Sequence, residues 1–71
     1  MLNAIKTEKF IRILHKMGFK EMRQRGSHKF FEHADGRTTV VPYHSEIHEG
    51  LLTKIVKHDL KMKREEFMKF I

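Results

Sequence analysis

The chain has 71 residues, no cysteine, and a formal net charge of +6 from 15 Lys and Arg against nine Asp and Glu. Without cysteine, disulfide staples and thiolate metal sites are excluded, and stability must come from one small core. No apolar run approaches the roughly 20 residues of a bilayer span, and the N-terminus lacks the apolar stretch of a signal peptide. The expectation is therefore a single cytoplasmic domain over residues 1–71, whose basic excess suits a polyanion and does not suit a membrane interior.

Thr7 is placed to cap a first helix over about residues 8–17. Phe10, Ile13, Leu14 and Met17 form its apolar stripe, and Ile11 widens it. Gly18 is suited to end it, because glycine takes the left-handed backbone conformation without steric cost. Phe19–Arg25 is weakly patterned and reads as an edge strand with Met22 toward the core. Gly26-Ser27 marks a turn, and His28–His33 carries two adjacent aromatics suited to a pleated sheet. Asp35-Gly36 reads as a tight hairpin turn with positive φ at both central residues. Thr38–Val41 is β-branched throughout, and Pro42 ends that strand because it has no ladder donor.

Beyond a polar loop, Leu51, Leu52, Ile55 and Val56 form a second helical stripe, with Leu60 and Met62 continuing the apolar cluster. A short last helix follows, with Phe67, Phe70 and Ile71 as its buried side. The fold class expected is α+β: a three-stranded antiparallel sheet with helices packed on one face, in the order α-β-β-β-α plus a short C-terminal helix. This layout resembles double-stranded-RNA-binding domains.

The chemistry-bearing stretch is Arg23-Gln24-Arg25-Gly26-Ser27-His28-Lys29-Phe30-Phe31. Gly26 lets backbone approach a phosphate, and Ser27 and backbone N–H groups can bind phosphate oxygens. Arg23, Arg25 and Lys29 would neutralise phosphate charge. RNA carries its own nucleophile, the 2′-hydroxyl, so cleavage needs only proton transfer and charge neutralisation. A histidine, with an ordinary pKa of about 6.5, suits either proton. No cofactor or metal is called for. The plainer reading is a basic hairpin that contains a histidine.

If Phe31 points into the core, His28, Phe30 and Glu32 share the open face, and Phe30 can stack on a base. Lys29 and His33 then turn toward the covered side. If Phe30 is buried instead, His28 still lies near solvent at the strand end. The first arrangement is preferred. His44, beyond Val41-Pro42-Tyr43, is a second proton carrier or an ordinary loop histidine. His44 and His48, four apart, are half a zinc site at most and are not read as ligands. Lys54, Lys57 and Lys61 form a row opposite the leucines, able to track a phosphate backbone or simply to face solvent. The six histidines, His15, His28, His33, His44, His48 and His58, offer acid–base chemistry or metal binding, and most of them are read as surface residues.

In order and spacing these segments resemble the HicA toxins of type II toxin–antitoxin modules. The resemblance rests on Arg25-Gly26-Ser27-His28 with Phe31, Asp35-Gly36-Arg37, Val41-Pro42 with His44, Glu46-Ile47 with Gly50, Leu52 and Ile55, and Arg64-Glu65-Glu66-Phe67. It implies a ribonuclease that cleaves mRNA with His28 catalytic. It also implies neutralisation by a HicB-type antitoxin, with DNA met only through the antitoxin complex. Lys61 and Lys63 depart from the pattern, where a helix-ending glycine and a capping serine are usual. The alternatives are a non-catalytic RNA-binding module of the same fold, or a protein-binding domain with a basic face.

Overall fold

The computed structural model describes residues 3–71. Its elements are β1 (Ile5–Lys6), α1 (Thr7–Met17), β2 (Lys20–Arg25), β3 (His28–Glu32), β4 (Thr38–Pro42), β5 (Glu46–Ile47), α2 (Glu49–Lys54), a π-helical segment (Ile55–Asp59) and α3 (Arg64–Met68). β2, β3 and β4 form an antiparallel sheet with β3 central, and β1 pairs with β5 in a separate two-stranded ladder. The α+β class and the expected order of helix, three strands, helix and short helix are present. The small β1–β5 ladder was not anticipated.

One face of the sheet is covered. Phe31 and Val41 point from it into a core with Phe10, Ile13 and Leu14 of α1, Phe19, Leu52, Ile55, Val56, Leu60 and Phe67. Burying each such large side chain contributes about 1.5–3 kcal/mol, and Phe10 and Phe67 also meet ring to ring at 5.9 Å. Because β3 alternates, the burial of Phe31 turns His28, Phe30 and Glu32 to the open face, as the preferred reading held.

Gly18 ends α1 at φ 101. Its N–H donates to the His15 carbonyl and that of Phe19 to the Leu14 carbonyl, the paired bonds of a Schellman motif. The other end of α1 differs from the expectation. Lys6 is the residue before the first turn, no side chain caps it, and Thr7 is already helical. The cause is the β1–β5 ladder, which holds the Ser45 carbonyl 3.2 Å from the Thr7 N–H. The Thr7 hydroxyl is left buried without a partner.

Met22 does not face the core; it is 59% exposed. Glu21 pairs with Phe31 and Arg23 with Phe30, so Met22 is the extra residue of a β-bulge. The Asp35-Gly36 turn also differs from expectation. Only Gly36 has positive φ (98), and it follows a turn closed by the Gly36 N–H on the His33 carbonyl. This is the three-residue hairpin with a glycine bulge, not the two-residue form.

The second helix is shorter than its apolar stripe. α2 ends at Lys54, and Ile55–Asp59 widens into π geometry, with the Leu60 N–H on the Ile55 carbonyl. Lys61 follows at φ 54, the left-handed region where glycine is favoured. The row Lys54, Lys57, Lys61 is therefore not one α-helical face. At the start of α3, Glu66 accepts the Lys63 N–H at 2.9 Å. The reciprocal bond of a capping box is missing, because a lysine side chain has no acceptor. Phe67 is buried and Phe70 half-buried, but Ile71 is 53% exposed and lies outside the core.

Candidate active site

The β2–β3 turn places the chemistry-bearing residues. Gly26 has φ 58 while Ser27 does not share the positive sign, the pattern of a type II′ turn. Two residues suffice to connect the strands, so Arg25 lies directly opposite His28. The Gln24 side-chain amide donates to the Gly26 carbonyl at 3.0 Å and braces the turn. On its other side His28 pairs with Pro42 of β4.

Arg23, Arg25, Gly26, Ser27 and His28 are all exposed. Neither arginine enters an ion pair among the described residues. No protein group among them holds the His28 imidazole. The turn is thus a cluster of open donors at one end of the sheet, with a histidine in its midst.

Two residues expected beside His28 are already engaged. Lys29 points to the covered side, where the bulge has brought Glu21. Its ammonium lies 3.1 and 3.3 Å from the two Glu21 carboxylate oxygens and 4.7 Å from the centre of the Tyr43 ring. It is therefore not a free cation of the open face. Phe30 is on the open face but half-buried, with the Arg23 guanidinium 4.6 Å above its ring. A nucleobase would meet this Arg23–Phe30 pair, not a bare ring.

The loop after β4 returns to the turn. The Tyr43 N–H donates to the Ser27 carbonyl, and the His44 N–H to the Pro42 carbonyl at 2.9 Å. His44 is exposed and lies two residues past the strand partner of His28. It lines a groove with Lys6, Thr7, Glu8, Tyr43 and Ser45. Lys54 is exposed at the end of α2, on the helical layer, and is not part of the turn cluster. His48 precedes α2, so His44 and His48 share no helix face. Among the described residues no group of three His, Asp or Glu is arranged to hold a metal.

The opposite end of the sheet carries a polar network that the sequence reading did not single out. His33 is half-buried, edge-on to Phe19 with ring centres 5.1 Å apart. Its Nε2–H donates to the Met17 carbonyl at 2.9 Å, and its Nδ1 accepts the Asp35 N–H at 3.0 Å. The neutral ring protonated at Nε2 satisfies both bonds. Asp35 Oδ1 lies 3.1 Å from Nδ1 and becomes an ion-pair partner only when the ring is charged.

Asp35 accepts the Arg37 N–H at 3.0 Å and its Nε–H at 2.8 Å. The Arg37 backbone bond, joined by its guanidinium and by His33, holds the Asp35 carboxyl below its ordinary value, against an opposing effect of burial. Arg37 also donates to the Leu60 carbonyl at 2.7 Å, and its guanidinium lies 5.3 Å from the Phe19 ring centre. Thr39, buried on β4, donates to Asp59 at 2.8 Å. The only sequence signal for this network was Asp35 two residues before Arg37, which does not reveal the partners on α1 and the π segment.

A family model described as the HicA toxin of bacterial toxin–antitoxin systems matches residues 7–61. No curated protein matches the chain. The matched span runs from the first residue of α1, through both turns of the sheet, to the left-handed residue after the π segment. It covers well over half of the sequence, and the chain belongs to the HicA toxin family.

Proposed function

We propose that this toxin is an endoribonuclease that cleaves mRNA by acid–base chemistry at His28 without a metal, and that a HicB-type antitoxin neutralises it by covering that end of the sheet. The observation that carries the proposal is the turn itself: an exposed imidazole between Arg25 and Pro42, beside Ser27, with two unpaired arginines on the same strand end.

In the reaction the RNA 2′-hydroxyl attacks the adjacent phosphorus and loses its proton to a base. The bond to the 5′-oxygen breaks, that oxygen takes a proton, and a 2′,3′-cyclic phosphate remains. His28 serves as the base or as the acid, and either transfer is worth about 10²–10⁴ in rate. His44 supplies the second transfer if the loop carries it toward the turn. Arg23, Arg25 and the Ser27 hydroxyl offset the negative charge of the phosphorane. The Arg23–Phe30 pair offers a stacking surface to a base.

The second reading, an RNA-binding module without catalysis, draws on one feature: no described residue orients the His28 ring. Cleavage of a labelled single-stranded RNA in EDTA separates the two. The parent chain is expected to leave a cyclic phosphate end, and His28→Ala to bind RNA but leave it intact. Equal cleavage by both proteins, or none by folded parent, would sink the catalytic role of His28.

A further inference from the structure

We infer that Tyr43 is a stacking platform for a nucleobase next to the phosphate held at the Gly26-Ser27 turn, and so an RNA-binding residue outside the open face of the sheet. The inference rests on the ribonuclease reading for the identity of the strand, and its own basis is the placement of one ring.

Tyr43 follows Pro42, the strand partner of His28, and its N–H donates to the Ser27 carbonyl. The register therefore runs one step past β4 and sets Tyr43 directly across from Ser27. Side chains so placed start about 4.5–5.5 Å apart. Alternation turns Tyr43 away from His28 and to the side of Lys29. The Lys29 ammonium lies 4.7 Å from the centre of the Tyr43 ring and is itself held by Glu21 at 3.1 Å. The ring is thus fixed by a backbone bond at its root and by a cation against one face.

The residue is nonetheless 45% exposed. Among the described residues no aromatic ring and no second cation packs on it. A single exposed aromatic is ordinary in a protein surface. Tyr43 differs in being braced and in standing across from a turn whose donors are open. Phe30, by contrast, is half-buried with Arg23 over its ring. An ammonium against one face of an aromatic ring draws on its electron density, which suits the other face to an electron-rich base. A phosphate at the turn then has the imidazole on one side of the sheet end and the Tyr43 ring on the other. One sugar separates a base from its phosphate, a span similar to the gap between Ser27 and Tyr43.

The chain has one tyrosine and no tryptophan, so its ultraviolet emission reports Tyr43 alone. The test titrates the folded protein with a single-stranded RNA made uncleavable by 2′-O-methyl substitution, with emission corrected for light absorbed by the RNA. Anisotropy over a series of salt concentrations and cleavage of the unmodified RNA run alongside. RNA is expected to quench the emission, and inorganic polyphosphate, which has no bases, to leave it unchanged. Tyr43→Leu is expected to weaken RNA binding by about fivefold to a hundredfold with the salt slope unchanged, because a stacked base is lost and no phosphate contact is. Tyr43→Phe, which keeps the ring, should bind like the parent.

RNA binding without quenching overturns the platform, as does equal quenching by polyphosphate or a Tyr43→Leu protein that binds like the parent. A Tyr43→Phe protein as weak as Tyr43→Leu also overturns it, because the contact would then belong to the hydroxyl. If the parent still cleaves in any of these cases, the ribonuclease reading stands without the platform. A parent that binds with quenching but does not cleave overturns the ribonuclease reading and leaves the platform standing. A folded parent that binds no RNA overturns both.

Discussion

The two turns that close the sheet lie at opposite ends of β3 and are built in opposite ways. At the Asp35–Gly36 end every polar group with a role is occupied: His33 bridges Met17 and Asp35, Asp35 holds Arg37, and Arg37 reaches the Leu60 carbonyl. At the Gly26–Ser27 end Arg23, Arg25, Ser27 and His28 are exposed, and the bracing bond belongs to Gln24. Two different hairpin turns thus serve anchorage at one end of the sheet and leave donors for a ligand at the other. Stability and function are expected to separate along the length of β3.

The largest effect expected is at the open end. His28→Ala should lower RNA cleavage by about 10²–10⁴ while changing unfolding free energy by no more than about 0.5 kcal/mol. Single-turnover cleavage and urea unfolding of the same preparation check both halves. A variant that unfolds much more readily would show that His28 is structural and would erase the contrast between the ends.

Arg37→Ala is the counterpart at the tied end. It removes the donor to the Leu60 carbonyl, the partner of Asp35 and the cation over Phe19. Loss of charge-assisted bonds in a half-buried place costs about 1.5–3 kcal/mol, read by urea unfolding. Cleavage per folded molecule should stay near the parent's. If cleavage falls while stability holds, Arg37 belongs to RNA recognition and the anchorage assignment fails.

Legibility in the sequence follows the same division. The open end was readable because its parts are local: Gly26-Ser27 announces a turn, and the burial of Phe31 sets the direction of His28 and Phe30. Gly18 as a helix end was readable for the same reason. What depended on distant partners was not. The hydroxyl of Thr7 looks like a cap until the β1–β5 ladder brings Ser45 to the helix start. Lys29 looks free until the bulge at Met22 puts Glu21 on its side of the strand. One inserted residue also reverses the face of Met22, and nothing in KEMRQR marks where the insertion falls. The π widening after Lys54 is equally silent, since the apolar spacing of Leu51, Leu52, Ile55 and Val56 fits an α-helix as well.

Lys61→Gly sharpens the comparison from the stabilising side. Lys61 follows the Leu60 carbonyl that Arg37 holds, and its φ of 54 strains a residue with a Cβ. Glycine there relieves about 1 kcal/mol, visible as a higher urea midpoint. RNA affinity should not move, because Lys61 stands beyond the π segment and outside the turn cluster. A glycine variant with no gain would mean that the lysine side chain offsets the backbone strain.

The smallest effect expected is electrostatic. Arg37 holds the Asp35 carboxyl below its ordinary value, chiefly through its backbone N–H and then through its guanidinium. A group whose folded pKa is depressed contributes stability above its unfolded pKa, and that contribution is lost as pH falls through the folded value. Asp35→Asn keeps an oxygen that can accept the Arg37 N–H but removes the charge. The parent should therefore exceed the variant slightly at neutral pH, and the gap should close only as pH falls below about 4, the ordinary aspartate value, and on through the lowered folded value. Asp35 is exposed, so solvent and salt screen most of the attraction, and added salt should narrow the neutral-pH gap as well. A gap that stays constant across the acid range would assign the effect to the turn geometry of the Asn side chain, leaving the anchorage at this end to the neutral bonds of His33 and the reach of Arg37 to Leu60.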